Sequence, residues 1–178
     1  MVTSVKLPKI YKLHVEPITT SKAKFLKFFG TKNFYANRPL EISFLFENIS
    51  GEPFPGCTFS WRIAWPSGQA VEDGCNVPAL QINEKWQSKP YPTDALSEGF
   101  GLISPTNLPR VANGSVVLDA GGREYRKQDD LEYSFGSIPV RRTQETYTYY
   151  GVMISAIALL IAALDKIIAL LKWLLRIS

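Results

Sequence analysis

The sequence predicts an all-β head, an immunoglobulin-like β-sandwich, followed by a single C-terminal transmembrane α-helix. Two observations predict this class. The stretch 147–178 is mostly apolar, and no charged residue lies between Gly151 and Leu164. The chain before it alternates apolar and polar residues in short runs separated by Pro, Gly and Asn, which is typical of sandwich strands. We therefore expect three regions: a basic first strand with a short amphipathic segment packed on the head (1–36), the β-sandwich (37–142), and a juxtamembrane segment with the transmembrane helix (143–178).

The N-terminal region is strongly basic. Residues 1–33 hold seven lysines and one acidic residue, whereas the net charge of the whole chain is only +4. The segment after the first strand predicts a short helix that Ser21 caps and that ends at Gly30. Its charged residues are candidate contacts for an anionic ligand or for lipid head groups: Lys22, Lys24, Lys27 and Lys32. The alternative is a helix docked on the core, with lysines that only face solvent.

Three longer runs predict strands that face one core. Apolar residues occupy alternate positions in each run: Tyr11, Leu13 and Val15; Leu40, Ile42, Phe44 and Phe46; Cys57, Phe59, Trp61, Ile63 and Trp65. This is the two-residue period of a strand with one buried face. Further short strands are expected at 79–82, 100–103, 115–118 and 131–140, with turn residues between them.

Three segments in the middle of the chain carry strand ends and turns in a regular order: Asn37-Arg38-Pro39-Leu40-Glu41-Ile42, Phe46-Glu47-Asn48-Ile49-Ser50-Gly51-Glu52-Pro53 and Asn76-Val77-Pro78-Ala79-Leu80. They resemble the bacterial cell-adhesion-related (CARDB-like) immunoglobulin-like modules, in which a strand ends in an Asn-x-Gly-type turn and a Pro-x-Leu segment leads into a Gly-Glu turn. The resemblance covers about residues 37–105. It implies a sandwich fold and no particular activity.

Residues suited to catalysis are scarce. His14 is the only histidine, and we expect it to face solvent on the polar side of the first strand. Cys57 and Cys75 cannot complete a four-ligand zinc site with one histidine, and we expect both as small buried residues rather than as a disulfide. The acidic run 129–132 is expected as a solvated turn, with a partner surface as the alternative. No cofactor is expected, and an enzyme is the least favoured hypothesis.

The C-terminal stretch has the length and the ends of a membrane span. From Tyr150 to Trp173 a helix rises roughly 35 Å, about a hydrocarbon core plus part of its interfaces. Aromatic residues that suit the membrane interface stand at both ends: Tyr147, Tyr149, Tyr150 and Trp173. Two alternatives stay open. Residues 167–178 lie flat on the membrane as an amphipathic tail, or the helix is soluble and docks on its own domain.

Small and polar residues recur along one side of the predicted helix. Their steps alternate between three and four residues, which keeps a seam on one face of helices packed in a left-handed bundle. The seam consists of Gly151, Ser155, Ala158, Ala162, Asp165, Ala169, Lys172 and Arg176. Most positions off the seam are large and apolar, so one face suits lipid and the other suits a second helix or water. We expect the helix to self-associate.

The layout is that of a head on a membrane tail. No apolar run suited to a secretory signal precedes the head, so we expect a tail-anchored, single-pass protein of the cell inner membrane with a cytoplasmic head. This layout is similar to the small transmembrane effectors of bacterial anti-phage systems, in which a nucleotide signal controls membrane permeability. The resemblance implies a homo-oligomer whose head senses a nucleotide, an oligonucleotide or a partner and whose helix forms a pore or ion channel. The alternative is a membrane-anchored interaction or adhesion module without a pore. Nothing indicates the reading of duplex nucleic acid.

Overall fold

The computed structural model describes residues 9–21, 34–141 and 143–177. The chain divides into two compact units, Met1–Val140 and Arg141–Ser178, which we call the β unit and the helical unit. In the described residues, the first unit consists of strands and one short 3-10 helix, and the second is a single helix, α1 (Thr143–Ile177). The protein is therefore mostly β with one C-terminal apolar helix.

The β unit is built from short and medium strands in close succession. In chain order they are β1 (Lys9–Ser21), β2 (Phe34–Tyr35), β3 (Pro39–Asn48), β4 (Cys57–Ala64), β5 (Ala70–Val77), β6 (Lys85–Gln87), β7 (Tyr91–Asp94), β8 (Gly99–Asn107), β9 (Arg110–Val111), β10 (Gly114–Ala120), β11 (Arg123–Tyr125) and β12 (Gly136–Arg141). The 3-10 helix, Gln128–Glu132, lies between β11 and β12.

Two curled sheets contain these strands. The larger has seven strands in the main order β11-β10-β1-β3-β6, and β7 also pairs with β3 and β9 with β10. The smaller has five strands in the order β2-β12-β8-β4-β5. Strand β1 runs antiparallel to β3 and parallel to β10. The N-terminal strand is therefore held in the larger sheet on both sides.

Apolar side chains of both sheets meet in one core. The predicted alternation is confirmed, except that Cys57 at the start of β4 is only half-buried. The other inward residues of the three runs are buried: Tyr11, Leu13, Val15, Leu40, Ile42, Phe44, Phe46, Phe59, Trp61, Ile63 and Trp65. The ring centroid of Phe44 in β3 lies 5.4 Å from those of Phe59 and Trp61 in β4. Aromatic pairs of this kind contribute about 0.5–1.5 kcal/mol each beyond the area they bury. These contacts join the two sheets.

The prediction of a strand at residues 79–82 was wrong, because no strand is formed there. Leu80 makes only an isolated bridge with Phe54, in which each backbone N–H donates to the other residue's carbonyl. The chain then turns at Asn83, where φ is +62°. A left-handed residue of this kind ends an extended run, and Asn tolerates it better than most residues do.

The other short strands were predicted with partial success. Residues 100–103 and 115–118 lie within β8 and β10, which are both longer than predicted. The strand predicted at 131–140 was wrong in its first part, because Leu131 belongs to the 3-10 helix and the strand begins at Gly136. Strand β5 was not predicted, since its central residues are acidic or glycine rather than β-branched or aromatic.

The chain leaves the β unit at one end of the smaller sheet, which we call the exit end. Strand β12 terminates there beside the beginning of β8, because Val140 is opposite Gly99. The turn between β4 and β5 lies at the same end, since Ala64 is opposite Leu102. The exit end therefore contains the beginning of β8, the end of β12 and the β4–β5 turn.

The larger sheet reaches the exit end as well. Ser21, the last residue of β1, is opposite Leu40 near the beginning of β3. The backbone N–H of Ala95, which lies between β7 and β8, donates to the Arg38 carbonyl at 3.1 Å. This bond fastens the connection into the smaller sheet to the start of β3, so both sheets end together here.

Asn48 organises the other end of β3. Its side chain is fully buried. The amide group donates to the carbonyl oxygens of Glu52, Leu80 and Gln81 at 2.9, 3.2 and 3.1 Å. Its Oδ1 accepts a bond from the Ser50 N–H at 3.0 Å. One side chain thus holds together the turn after β3 and the segment that replaces the expected strand.

Replacing Asn48 should destabilise the β unit. We expect Asn48→Ala to lower the free energy of unfolding by roughly 2–4 kcal/mol, because a buried side chain loses four hydrogen bonds to the backbone at once. Urea unfolding of the full chain in mild detergent, followed by tryptophan fluorescence, measures the change. The control is Asn76→Ala on exposed β5, whose Oδ1 accepts one exposed bond from Thr58 Oγ and which should cost no more than about 0.5 kcal/mol. Equal losses in the two variants would contradict this role for Asn48.

Candidate membrane-spanning helix

Helix α1 contains a segment that is long and apolar enough to cross a membrane. The segment is Gly151–Leu171, 21 residues with a mean hydropathy of 2.3. Its helical length is about 30 Å, the thickness of a bilayer hydrocarbon core. Among the described residues, α1 is the one helix that meets both conditions.

The apolar side chains of α1 have no cover within their own unit. No part of the Gly151–Leu171 segment is buried, and Leu159 and Leu160 are 72% and 65% exposed. A single helix cannot bury residues on all its sides. Large contiguous apolar surfaces of this kind mark contacts with lipid or with other protein.

The predicted seam residues all lie on α1, which is one unbroken helix. Those whose side chains are described are exposed: Gly151, Ser155, Ala158, Ala162, Asp165 and Ala169. The backbones of Lys172 and Arg176 belong to α1, but their side chains lie outside the described part of the chain. Helical periodicity places the set along one side of the helix. α1 continues without interruption across Asp165 and Lys166.

The predicted interface residues stand near both ends of the apolar segment. Tyr147, Tyr149 and Tyr150 lie in α1 before Gly151, and their side chains are outside the described set. Trp173, just after the segment, is 61% exposed. The sequence places aromatic rings on either side of the segment, as the interface prediction requires.

Two polar residues within the segment differ in their surroundings. The Ser155 hydroxyl donates to the Gly151 carbonyl at 2.8 Å, so its proton is satisfied inside the helix. Among the hydrogen bonds of the described residues, none joins the Asp165 side chain to the backbone of the preceding turn. If α1 crosses a membrane over this segment, Asp165 would lie about 9 Å from Leu171 by helical rise, farther from the interface than a short carboxylate reaches.

The predicted anionic-contact residues lie outside the described residues: Lys22, Lys24, Lys27 and Lys32. The helix predicted there, from Ser21 to Gly30, lies outside them too, except that Ser21 itself is the last residue of β1. On the far side of this segment, the Tyr35 carbonyl of β2 accepts a bond from the Arg38 N–H at 3.2 Å. The described residues on both sides of the lysine segment therefore lie at the exit end.

Ionisable residues of the β unit form local pairs. His14, which we expected only to face solvent, places Nδ1 2.9 Å from Oδ2 of Asp119 across the β1–β10 pair. The Asp130 carboxylate accepts from the N–H groups of Arg126 and Lys127 at 2.9 and 3.1 Å, and these bonds lower the pKa of Asp130. Asp130 of the acidic run therefore stabilises the turn in which it lies.

The two cysteines are free thiols on the neighbouring strands β4 and β5. Burial raises the pKa of Cys57 to about 12 and that of Cys75 to about 11. The thiolate, which is the reactive form, is therefore scarce at neutral pH. Among the described residues, no group of three or more His, Cys, Asp or Glu side chains could hold a metal ion.

Two grooves open on the β unit, and sequence reasoning missed both. One, of about 650 Å³, lies at the exit end and is lined by Pro66, Phe100, Leu102 and Ser137 among others. The other, of about 420 Å³, lies toward the opposite end, and its lining is mostly polar: Thr58, Ser60, Asn107, Leu108, Arg110 and Gln128. Each groove depends on which strands are neighbours, and a pattern read along a single strand does not contain that information.

Comparison with known proteins gives no family for this chain. No family model matches it, and no curated protein matches it by sequence. Solved structures with some similarity include the crystal structure of an ApaA protein from Bordetella pertussis, with 12% identity, a TM-score of 0.47, and coverage of 77% of this chain and all of that one. Another is the X-ray structure of structural genomics target SoR45, with 16% identity, a TM-score of 0.40, and coverage of 58% and 76%. Similarities this low carry no conclusion about function.

A carbonate wash tests the candidate span. We expect the full chain to stay with membranes at alkaline pH, because an inserted apolar helix is held by the hydrocarbon core. A fragment of residues 1–145 should be soluble and folded. Immunoblotting of the pellet and supernatant gives the distribution. Release of the full chain by carbonate would show that α1 does not span the membrane.

Proposed function

We propose that the protein is a single-pass, homo-oligomeric membrane protein whose β unit senses a ligand or partner and whose α1 helices together form a pore or ion channel. The observation that supports it is the makeup of α1, an exposed apolar segment of membrane length with small and polar residues along one side. An inner membrane, with the β unit in the cytoplasm, is part of the proposal. The proposal assigns no catalytic step and no cofactor.

Self-association of α1 follows from the sizes of its seam residues. Lipid tails are as apolar as leucine, so helices in a bilayer associate through close packing rather than through the hydrophobic effect. Gly151, Ala158 and Ala162 would let two helix backbones approach, whereas the exposed leucines and isoleucines on the other faces suit lipid. A closed symmetric ring of such contacts would turn every seam toward the centre.

Asp165 gives the proposed pore its charge. An ionisable side chain within the hydrocarbon core is costly and normally faces protein or water. In a symmetric oligomer each copy would contribute one Asp165, and the result is an acidic ring of the kind that selects cations. Lys172 and Arg176 would add basic rings about two and three turns nearer to the end of the helix.

We also propose that the β unit is an immunoglobulin-like sandwich of the CARDB-like kind. Two sheets joined by an aromatic core support this fold, and the resembling residues 37–105 extend from just before β3 into β8. For the ligand we propose a nucleotide or an oligonucleotide. The lysine segment 22–32 supports this choice, as does the groove that holds Arg110, since both offer positive charge to phosphate.

The second candidate is a membrane-anchored interaction module without a pore. The bond from Ser155 to Gly151 favours it, because a hydroxyl satisfied within its own helix needs no water-filled path. In such a protein the seam would only pack helices together, or α1 would serve as an anchor.

Ion conductance separates the two candidates. We expect the full chain in planar bilayers to conduct cations, and we expect Asp165→Asn to shift the cation-to-anion permeability ratio several-fold toward one, because the acidic ring is lost. Reversal potentials in a salt gradient measure the ratio. An unchanged ratio would remove Asp165 from the conducting path, and no conductance with any tested ligand would favour the interaction module.

Seam substitutions test the assembly. Replacing both Ala158 and Ala162 with Leu should abolish defined oligomers in mild detergent, because the larger side chains separate the helix backbones. Replacing Ala156 and Ala163, which lie off the seam, with Leu is the matched control and should leave the oligomers intact. Cross-linking and light scattering give the subunit number. Intact oligomers in the seam variant would place the contact elsewhere.

The lysine segment can be tested by salt dependence. If it binds an anionic ligand, oligonucleotide binding should weaken steeply between low and physiological salt. Replacement of Lys22, Lys24 and Lys27 with Gln should abolish this binding, whereas the same change at Lys85 and Lys89 should have little effect. Fluorescence anisotropy measures it. No binding by the unmodified chain at low salt would leave the lysines as solvent-facing residues.

A further inference from the structure

One apolar surface of the β unit is left uncovered at the exit end. Phe100 and Leu102 project from β8 and are 61% and 46% exposed. Pro139 and Ser137 of β12 are directly opposite them, and Pro66 lines the same groove. We call these five residues the Phe100 face. None of them is charged.

The core fixes the outward direction of this face. Between Phe100 and Leu102, Gly101 turns toward the interior, where a side chain would meet ring atoms of Trp65 at 2.5 Å. Trp65 is buried and fills that space. Because successive residues of a strand point to opposite sides, Phe100 and Leu102 must then face outward. Their exposure is a consequence of the packing and not of a loose strand.

The outer side of the smaller sheet becomes polar away from the exit end. Along β8, the outward residues Phe100 and Leu102 are followed by Ser104. On neighbouring β4 and β5, Arg62 and Glu72 face each other with 3.8 Å between Nε and Oε1. The apolar surface is thus confined to the end where the chain leaves the unit.

A short tether links this face to the candidate span. Pro139 lies four residues before Thr143, the first residue of α1, so the chain allows at most about 14 Å between them. From Thr143 to Tyr147 the helix rises only about 6 Å. Whatever angle the two units make, a tether this short gives the face a local concentration of roughly millimolar at the membrane surface. At that local concentration, even a weak apolar contact is enough to keep the face at the membrane surface.

We infer that the Phe100 face rests on the lipid interface of the membrane that α1 crosses. The inference depends on the proposed span of α1 and adds a second site of lipid contact, carried by the β unit. Phe100 and Leu102 enter the interfacial region, where apolar side chains leave water while the nearby backbone stays hydrated. The exposed Arg141, beside the face, is placed to meet anionic head groups.

Lipid-dependent quenching of a fluorescent label tests this contact. The full chain is reconstituted in vesicles of phosphatidylcholine and phosphatidylglycerol, with and without brominated acyl chains. A polarity-sensitive label is attached at Ser137→Cys, which leaves the apolar residues of the face in place. The matched position is Ala112→Cys, which is exposed in the β9–β10 turn at the opposite end. The unsubstituted chain gives the background from Cys57 and Cys75, which their raised pKa values keep low at neutral pH.

We expect brominated lipid to quench the label at Ser137→Cys several-fold more than the label at Ala112→Cys. Changing Phe100 and Leu102 to Ser should reduce quenching at Ser137→Cys to the Ala112→Cys value. The matched change, Ile10→Ser, removes another exposed apolar residue, 66% exposed at the opposite end of the unit, and should change nothing.

Equal quenching at the two label positions, in chains that resist carbonate, would overturn the inference while leaving the span intact. The Phe100 face would then be free for a protein partner or a second copy of the chain. Release of the unsubstituted chain by carbonate would overturn the span and this inference together. Because the first comparison uses single labels and keeps the four apolar residues of the face, it does not depend on whether the double serine variant folds.

Discussion

The packing of Phe44 between the two sheets is the contact on which the β unit depends. Its ring touches Phe59 and Trp61 of β4, and it also lies 6.2 Å from Phe135, which comes directly before β12. The same cluster that joins the sheets therefore positions the strand that leads to α1.

The two units of the chain differ in the solvent exposure of their apolar residues. In the β unit, Phe44, Trp61 and their neighbours lose nearly all contact with solvent, whereas the large side chains of α1 keep it. Each square ångström of apolar surface left in water forgoes roughly 25 cal/mol of stabilisation. A helix alone offers no interior, so any cover for α1 has to come from lipid, from other protein or from the β unit. Both candidate functions start from this requirement.

How far the sequence determined the structure differs from element to element. Strands β1, β3 and β4 were predictable, because their alternating apolar residues face a core directly. Strand β5 was not, since its Glu72, Asp73 and Gly74 are poor strand formers that pairing with β4 holds in place. The parallel pairing of β1 with β10 joins distant parts of the chain and leaves no local signal. The small and polar residues of the seam could be recognised in the sequence, because the spacing that places them on one side of a helix is local. The Phe100 face could not be predicted, because it depends on the register between β8 and β12.

The burial of Asn48 affects how the orientation of the protein can be mapped. The chain contains two Asn-x-Ser acceptor tripeptides for N-linked sugars, at Asn48 and Asn113. The Asn48 nitrogen is enclosed and bonded to backbone carbonyls, so the folded unit cannot carry a glycan there on either side of a membrane. Asn113 is exposed in the turn between β9 and β10. In a glycosylating membrane preparation, a sugar at Asn113 would mark the β unit as lumenal, so the natural sequence already contains a reporter of sidedness.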